Sequence, residues 1–198
     1  MTLRRTVTAF LAMLVLLGWS GAAHAQRGNT VILVLDQEKV LVTSKAGQSI
    51  SAQLQVIGQQ VAAEIQAQEQ AVQQESEALK ASQPSLSKED FTRRYQALLE
   101  KGRNVEQLMR IREAELQQAQ SMAYNQLAAA WEPIVDDIFK KRKGTVLMDR
   151  QAVLSAADAN NITSEVITRL DKEIQTIQVV KPDLQAQRAA ALAQQKSQ

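Results

Sequence analysis

The stretch KKRKGTVLMDRQAVLSAADANNIT, residues 140–163, decides how the chain can fold. The sequence before it is rich in Gln, Ala, Glu and Leu and nearly free of Gly and Pro, which indicates long helices. After Gly144 the pattern changes to short β-branched and aliphatic runs. We predict two short strands, at residues 145–148 and 152–155, around a tight turn at residues 149–150. A sheet of this size is not stable by itself, so these strands need further partners.

A partner strand is predicted near the other end of the chain. Residues 30–36, TVILVLD, form a continuous aliphatic run, which is typical of a strand buried on both faces. A short amphipathic segment, residues 38–44, follows, and Ala46 with Gly47 is expected to interrupt it. Three short strands leave unpaired edges, so we expect copies of the chain to close the sheet together. The strand residues expected in this assembly body are Val31, Ile32, Leu33, Val34, Leu35, Val146, Leu147, Met148, Val153 and Leu154.

Between the two parts of the body, residues 48–139 are predicted to form a helical hairpin. The 4-3-4 spacing of a coiled-coil seam occurs at Ile50, Leu54, Ile57 and Val61. The second arm keeps a strict heptad, but its seam contains Gly102 and Arg112, which a dry coiled coil would exclude. We therefore expect a loose, bendable hairpin.

The hairpin tip is predicted at residues 82–90, SQPSLSKED. Pro84 cannot continue a helix, and Ser87 with Asp90 resembles a capping box that starts the next one. The short connection makes the two arms antiparallel. The second arm is expected to run to about residue 143 with a kink at Pro133.

The C-terminal part is predicted to contain one helix and a tail. Thr163 is expected to cap a helix whose apolar residues are Val166, Ile167, Leu170 and Ile174. The tail, residues 181–198, is low-complexity Ala/Gln sequence, and we expect it to be disordered or marginally helical.

The N-terminus has the pattern of a signal peptide, residues 1–25. Arg4 and Arg5 precede an apolar run at residues 7–17, and Ala23-His24-Ala25 has the small-x-small form of a cleavage site. The run is shorter than the about 20 residues that span a bilayer. Export with cleavage after Ala25 is therefore predicted, and a retained membrane anchor is the alternative.

Cleavage would leave a chain with little catalytic chemistry. There is no Cys, and the single histidine, His24, would leave with the signal peptide. Ser-His-Asp and Cys-His mechanisms and zinc sites built on His or Cys are then excluded. We expect no enzyme activity, catalytic residue, metal or cofactor. The formal charge of +2 comes from 23 basic and 21 acidic residues, so losing Arg4 and Arg5 makes the chain neutral.

Four features allow a functional and a structural interpretation, and we favour the structural one for each. The basic run at residues 140–143, KKRK, is typical of a nucleic-acid-binding patch. It is equally typical of the last turn of a helix, with Gly144 as the C′ residue. Asp136 and Asp137 are a carboxylate pair of the kind that binds a cation or does acid–base chemistry. Adjacent residues on a helix point in different directions, however, so we expect both side chains to be solvated. Asn161-Ile162-Thr163 is a glycosylation sequon or a helix cap. Trp131 is a binding anchor or core, expected beside Ile134, Val135 and Ile138.

The order of these segments resembles the Skp/OmpH family of periplasmic chaperones. The resemblance rests on VILVLDQEKVL followed by SKAG, on the Gln/Glu/Lys-rich hairpin, and most strongly on KKRKGTVLMDRQAVLSAADANNITSEVITRLDKE, residues 140–173. It covers about residues 28–175. It implies a periplasmic homotrimer in which strands from each subunit build a central body. The hairpins then project as tentacles around a cavity that holds unfolded outer-membrane proteins without ATP.

The resemblance also implies basic tentacle tips and, in some members, contact with anionic lipid or lipopolysaccharide. Residues 80–103 carry six basic and three acidic residues, so the tip is only +3, which weakens the lipid inference. The candidate contacts for client or anionic lipid are Lys80, Lys88, Phe91, Arg93, Arg94, Tyr95, Lys101 and Arg103.

The sequence therefore predicts an α+β, mainly α fold, with a long antiparallel hairpin inserted in a small β body that trimerises. The body comprises residues 28–47 and 140–178. The predicted function is that of an ATP-independent periplasmic holdase for unfolded outer-membrane β-barrel proteins, with itself as a further partner and no nucleic acid expected. The alternative is a structural envelope coiled coil or assembly adaptor, which would bind a folded partner selectively.

Overall fold

The computed structural model describes residues 29–196 and is mainly helical, as predicted. The expected signal peptide, residues 1–25, lies outside the described residues. The regular elements, in chain order, are β1 (Ile32–Leu35), α1 (Gln37–Thr43), α2 (Lys45–Ser82), α3 (Lys88–Lys141), β2 (Val146–Asp149), α4 (Thr163–Glu173) and α5 (Leu184–Lys196). Within residues 29–196, no helix is long and apolar enough to cross a bilayer.

The sheet joins the two ends of the predicted body. β1 and β2 are parallel, with Ile32 opposite Val146 and Leu35 opposite Asp149, and the whole hairpin forms the crossover between them. On its other side, β1 makes one further parallel bridge, from Val34 to Asn161. β1 is therefore the central strand, and the outer edge of β2 has no strand partner within residues 29–196.

The strand predicted at residues 152–155 is absent from the described chain. A 3₁₀ turn, Arg150–Ala152, follows β2 directly, because the Asp149 carboxylate accepts a hydrogen bond from the Gln151 N–H at 2.8 Å and bends the backbone. Arg150 then donates to the Val153 carbonyl. Leu154 is fully exposed, so no apolar contact holds the segment extended. The prediction that Val153 and Leu154 lie in a strand is wrong for the single chain.

The break between the first two helices falls at Ser44, two residues before the predicted one. Ser44 is the N-cap of α2, and its Oγ accepts a hydrogen bond from the Gly47 N–H at 3.1 Å. Gly47 lies directly against the end of α1, since a Cβ built on it would be 1.7 Å from the Leu41 carbonyl oxygen. Only glycine lets the two helices approach this closely.

We expect Gly47→Ala to destabilise the fold by about 1–3 kcal/mol, because the added methyl group must push α1 away from α2. The matched control is Gly58→Ala in the same helix, where an added Cβ meets nothing within 4 Å. That change should stabilise by up to about 1 kcal/mol through helix propensity. Urea unfolding at equal protein concentration measures both, and equal effects at the two sites would contradict the close packing.

The hairpin consists of α2 and α3, joined by a 3₁₀ turn at Gln83–Ser85. Ser87 caps α3 as predicted: its Oγ accepts from the Asp90 N–H at 3.1 Å and donates to the Asp90 carboxylate at 2.9 Å. α3 continues through Pro133 as one helix to Lys141, so the kink at Pro133 stays a prediction. In the distal half of the hairpin only a few seam residues are buried, among them Ile65, Leu79 and Leu98.

The C-terminus of α3 is closed differently from the prediction. The residue with left-handed backbone is Lys143, at φ 54°, and not Gly144. The Gly144 N–H reaches the Phe139 carbonyl at 2.8 Å and the Lys143 N–H reaches that of Lys140 at 3.1 Å, which is a Schellman motif. Gly144 is needed for space, because a Cβ there would lie 2.6 Å from the Phe139 ring.

The core lies where the proximal part of the hairpin meets the sheet, α1 and α4. Trp131 belongs to it together with Ile134, Val135 and Ile138, so the structural interpretation of Trp131 is confirmed. α4 begins at Thr163 and not one residue later, because the Thr163 Oγ1 instead accepts a hydrogen bond from the Asp36 N–H at 2.9 Å. The buried members of the core are Leu33, Leu35, Val40, Ala46, Ile50, Ala119, Ala123, Leu127, Trp131, Ile134, Val135, Ile138, Ile162, Val166, Leu170, Ile177 and Val179.

Candidate functional site

The hairpin tip brings two aromatic side chains together. Phe91 and Tyr95 lie one turn apart on α3, and their rings stack with centroids 6.2 Å apart and planes 8° apart. Phe91 is half-buried, whereas Tyr95 is 47% exposed. Phe91 therefore helps to close the tip, and Tyr95 remains accessible to a partner.

Tyr95 is part of an apolar stripe along one face of α3, formed by Tyr95, Leu99 and Met109. These residues are 47%, 47% and 44% exposed. At 100° per residue they lie within a sector of about 80° of the helix. Gly102 and Glu106 lie in the same sector between Leu99 and Met109. Leu99 also lines a shallow cleft of about 560 Å³ together with Arg93 and Arg103. The stripe is thus an exposed apolar surface with positive charge beside it.

The predicted tip cations fall into two groups. Two of them are paired with acids: Arg93 with Asp90 at 2.6 Å, and Lys101 with Glu75 on the other arm at 2.6 Å. Four are exposed and make no ion pair with any residue of the described chain, namely Lys80, Lys88, Arg94 and Arg103. Because exposed ion pairs are weak, the two paired cations as well as the four unpaired ones can bind an anionic ligand.

The two arms are incompletely packed against each other. A groove of about 340 Å³, open to solvent on one side, lies along them and is lined by residues that include Val72, Val105 and Leu108. Near it, a Cβ on Gly102 would meet nothing within 4 Å. A seam with open space supports the expectation that the distal hairpin is loose.

Arg112, the apparent misfit of the seam, is the centre of an ion-pair cluster formed by Glu64, Arg112, Glu115 and Lys181. Its guanidinium donates twice to Glu64 on the other arm, at 2.9 Å each, and once to Glu115 at 2.9 Å. These bonds outweigh desolvation and raise the pKa of Arg112, while the bond from Arg112 lowers the pKa of Glu64. Arginine at this seam position therefore links the two arms through ion pairs.

Glu115 is completely buried within this cluster. Burial alone would raise the pKa of Glu115, but the hydrogen bonds from Lys181, the Leu184 N–H and Arg112 outweigh it, and the net shift is downward. The carboxylate is consequently ionised at neutral pH. Neither the burial of Glu115 nor its contact with Lys181 was predicted, because the two residues are 66 positions apart in the chain.

Exposed apolar side chains also lie on both faces of the sheet, since Ile32 is opposite Val146 and the next residue, Leu147, points to the other face. Ile32, Val146 and Leu147 are about two-fifths exposed, at 38%, 41% and 40%. Of the predicted body strands, Leu33, Val34 and Leu35 are buried within the chain, while β2 stands at the open edge. A cleft of about 520 Å³ beside it is lined by Leu147 and Trp131 among others. An exposed apolar edge strand is a surface that another chain can extend.

The other candidate features are used within the fold. Asp137 forms ion pairs with Lys141 at 2.8 Å and with Arg169 of α4 at 2.7 Å, and these lower its pKa. Arg142 donates to the Ala159 carbonyl and to Glu165, which ties the KKRK stretch to the end of the sheet and to α4. Within residues 29–196, no group of His, Cys, Asp and Glu is arranged to hold a metal ion.

The model of the outer membrane protein (OmpH-like) family matches residues 31–170, about seven-tenths of the sequence. The chain belongs to the OmpH-like family. It is also similar to the crystal structure of a proposed outer-membrane chaperone (OmpH-like) from Caulobacter crescentus, at 24% identity and a TM-score of 0.74, over 78% of this chain and 92% of that chain. This likeness confirms the fold of a helical hairpin with a small β region. No curated protein matches the sequence.

The OmpH-like match begins just before β1 and ends inside α4. It therefore includes both arms of the hairpin, the tip and both strands. The residues after position 170, including Lys181 and α5, lie beyond it. What those residues do has to be inferred from their contacts in this chain.

Proposed function

We propose that this OmpH-like protein is an ATP-independent periplasmic holdase, which binds unfolded outer-membrane β-barrel proteins and prevents their aggregation. The observation that carries the proposal is the apolar stripe, Tyr95, Leu99 and Met109, whose side chains are 47%, 47% and 44% exposed on the second arm of the hairpin. Unfolded barrels expose alternating apolar side chains and unpaired strand edges, which aggregate. A loose prong with exposed apolar and cationic groups suits many weak contacts with such a chain.

The proposal includes a homotrimer assembled through the sheet. The support is the open edge of β2, where Val146 and Leu147 are exposed together with Ile32 of β1. Closing this sheet with copies of the chain would bury these residues and satisfy the edge. Three hairpins would then surround one cavity, in which a single client is kept apart from others.

No catalytic step is needed in this mechanism. Folding of the client removes the surface that the hairpins bind, so release follows from the folding equilibrium without hydrolysis. The exposed cations at the tip, Lys80, Lys88, Arg94 and Arg103, would add an electrostatic attraction for acidic client segments. We propose the same four residues as the contact for anionic lipid or lipopolysaccharide, which salt would weaken.

The proposed function is tested by diluting a urea-unfolded outer-membrane barrel into buffer and recording light scattering. We expect the protein without residues 1–25 to suppress aggregation at about one trimer per client, because one cavity holds one chain. Replacing the stripe by Tyr95→Ser, Leu99→Ser and Met109→Ser should weaken suppression. The matched control is Val56→Ser, an exposed apolar residue on α2 outside the stripe.

Two outcomes would contradict the proposal. Undiminished scattering at several-fold excess of trimer would exclude the holdase function. Tight binding of a folded envelope protein, together with indifference to unfolded chains, would instead indicate an assembly adaptor.

A further inference from the structure

The segment between α4 and α5, residues 174–183, packs against the hairpin. The tail from residue 181 onward was predicted to be disordered or marginally helical. The burial of this segment alternates over residues 177–180: Ile177 and Val179 are buried, while Gln178 and Val180 are exposed. A period of two is that of an extended chain, which presents alternate side chains to opposite sides. The segment therefore lies on the hairpin as a strand-like ribbon before α5 begins.

Gln53 of α2 binds the backbone of this ribbon. Its Nε2 donates to the Ile177 carbonyl at 2.7 Å, and its Oε1 accepts from the Val179 N–H at 3.0 Å. In an extended chain, the carbonyl of one residue and the N–H two residues later face the same side. A side-chain amide, which has one acceptor and donors on a single plane, satisfies both as a neighbouring strand would. This contact recognises extended backbone and not particular side chains.

The far end of the ribbon is held by Glu115 of α3. The carboxylate accepts from Lys181 Nζ at 2.5 Å and from the Leu184 N–H at 3.0 Å, in addition to its bond from Arg112. Asp183 then accepts from the Ala186 N–H at 2.8 Å, in the first turn of α5. Two apolar side chains, one amide contact and one buried carboxylate thus fix the position of the ribbon.

We propose that Gln53, Arg112 and Glu115 form a receptor for extended polypeptide, here called the tail-docking surface, and that residues 177–184 are its resident ligand. The ligand class is an extended segment with apolar side chains two positions apart and a cation two positions after the second. Because Gln53 contacts the ribbon only through backbone atoms, an unfolded chain with this spacing can bind in the same way. The inference goes beyond the proposed holdase function and does not depend on it, since peptide binding is measured without a client.

The covalent connection decides which ligand occupies the surface. A tethered segment acts at an effective concentration in the millimolar range for a short linker. A free segment of equal intrinsic affinity therefore competes poorly unless the resident ribbon is released. Binding in trans should consequently be weak in the natural chain and should appear when the ribbon can no longer dock.

The test uses the full chain carrying Ile177→Asp and Val179→Asp, since two buried apolar residues cannot be replaced by carboxylates without undocking the ribbon. The matched control is Val180→Asp, the same change at the neighbouring exposed position. The probe is a fluorescent peptide of residues 173–184, EIQTIQVVKPDL, followed by anisotropy. We expect the double variant to bind the peptide about tenfold or more tightly than the natural chain and the Val180→Asp variant.

Two further arms test the receptor and the ligand class. Gln53→Ala in the double variant should weaken peptide binding about tenfold, which corresponds to loss of its two backbone hydrogen bonds. A peptide of unrelated residues with the same apolar spacing and the same cation should bind as tightly as EIQTIQVVKPDL, and a peptide with Asp at both apolar positions should not bind.

The proposal is overturned if the double variant fails to bind the peptide, or if the natural chain binds it equally well. It is also overturned if Gln53→Ala has no effect, or if only the chain's own sequence binds. Failure of the double variant to bind would show that the ribbon is attached structure and not a ligand, and equal binding by the natural chain would show that the ribbon does not occupy the peptide site. Either result of the second pair would show that the surface does not recognise extended backbone.

Discussion

Leu147→Asp is expected to separate the proposed trimer into single chains and to abolish suppression of aggregation. Leu147 lies on the open strand β2 and is 40% exposed in the single chain, so the proposed assembly has to bury it. A carboxylate at an apolar interface without a partner costs several kcal/mol. Rotational symmetry repeats that cost at each of the three contacts, which is enough to prevent assembly.

Light scattering and size-exclusion chromatography give the mass, and the barrel-dilution assay gives the activity. The matched control is Leu192→Asp on α5, a leucine that is 52% exposed and lies away from the sheet, and this variant should stay trimeric and active. Helix content should be preserved in both variants, because neither residue belongs to the buried core. A trimeric Leu147→Asp variant would show that the β2 edge is outside the interface, and a monomeric natural chain would contradict the closing of the sheet by copies.

The features that the sequence predicted well are those determined by neighbouring residues. Pro84 and the pair Ser87–Asp90 act within one turn of the chain, and the structure confirms the hairpin tip and its cap. The error at the end of α3 is of the same local kind. Glycine is the usual left-handed C′ residue, but here Lys143 is the C′ residue and has the left-handed backbone. Gly144 follows it, where a Cβ would clash with the Phe139 ring.

The features that the sequence did not predict depend on distant contacts. Residues 152–155 have strand-like composition, yet the hydrogen bonds made by Asp149 and Arg150 form a turn there. The ribbon carries a signal in the sequence, the apolar residues Ile177 and Val179 two positions apart, but its receptor residues lie far away in both arms of the hairpin. The heptad pattern of α3 does not distinguish Glu115 from the other polar residues of the helix. No residue within one turn of it indicates the contact with Lys181.

Glu115→Gln is expected to destabilise the protein by about 3 kcal/mol at pH 7. Removing one member of a buried charge cluster leaves its partners uncompensated, and such losses are of this order. Arg112 keeps its two bonds to Glu64, so the loss falls mainly on Lys181 and on the Leu184 N–H. The matched control is Glu113→Gln, an exposed glutamate two positions away on α3, which should change stability little.

The pH dependence of this difference identifies the cause. The pKa of Glu115 lies below its ordinary value of 4.5 in the folded chain, so ionised Glu115 contributes stability that is fully present above pH 4.5. That contribution is lost as the pH falls through the lower folded value. Glu64, whose pKa is also lowered, is present in both the natural chain and the variant, so the difference between them reports mainly on Glu115. Urea unfolding at pH 7 and pH 3 should thus show a large gap that narrows in acid. A Glu115→Gln variant as stable as Glu113→Gln at pH 7, or a gap that stays constant down to pH 2, would show that the buried carboxylate does not hold the ribbon.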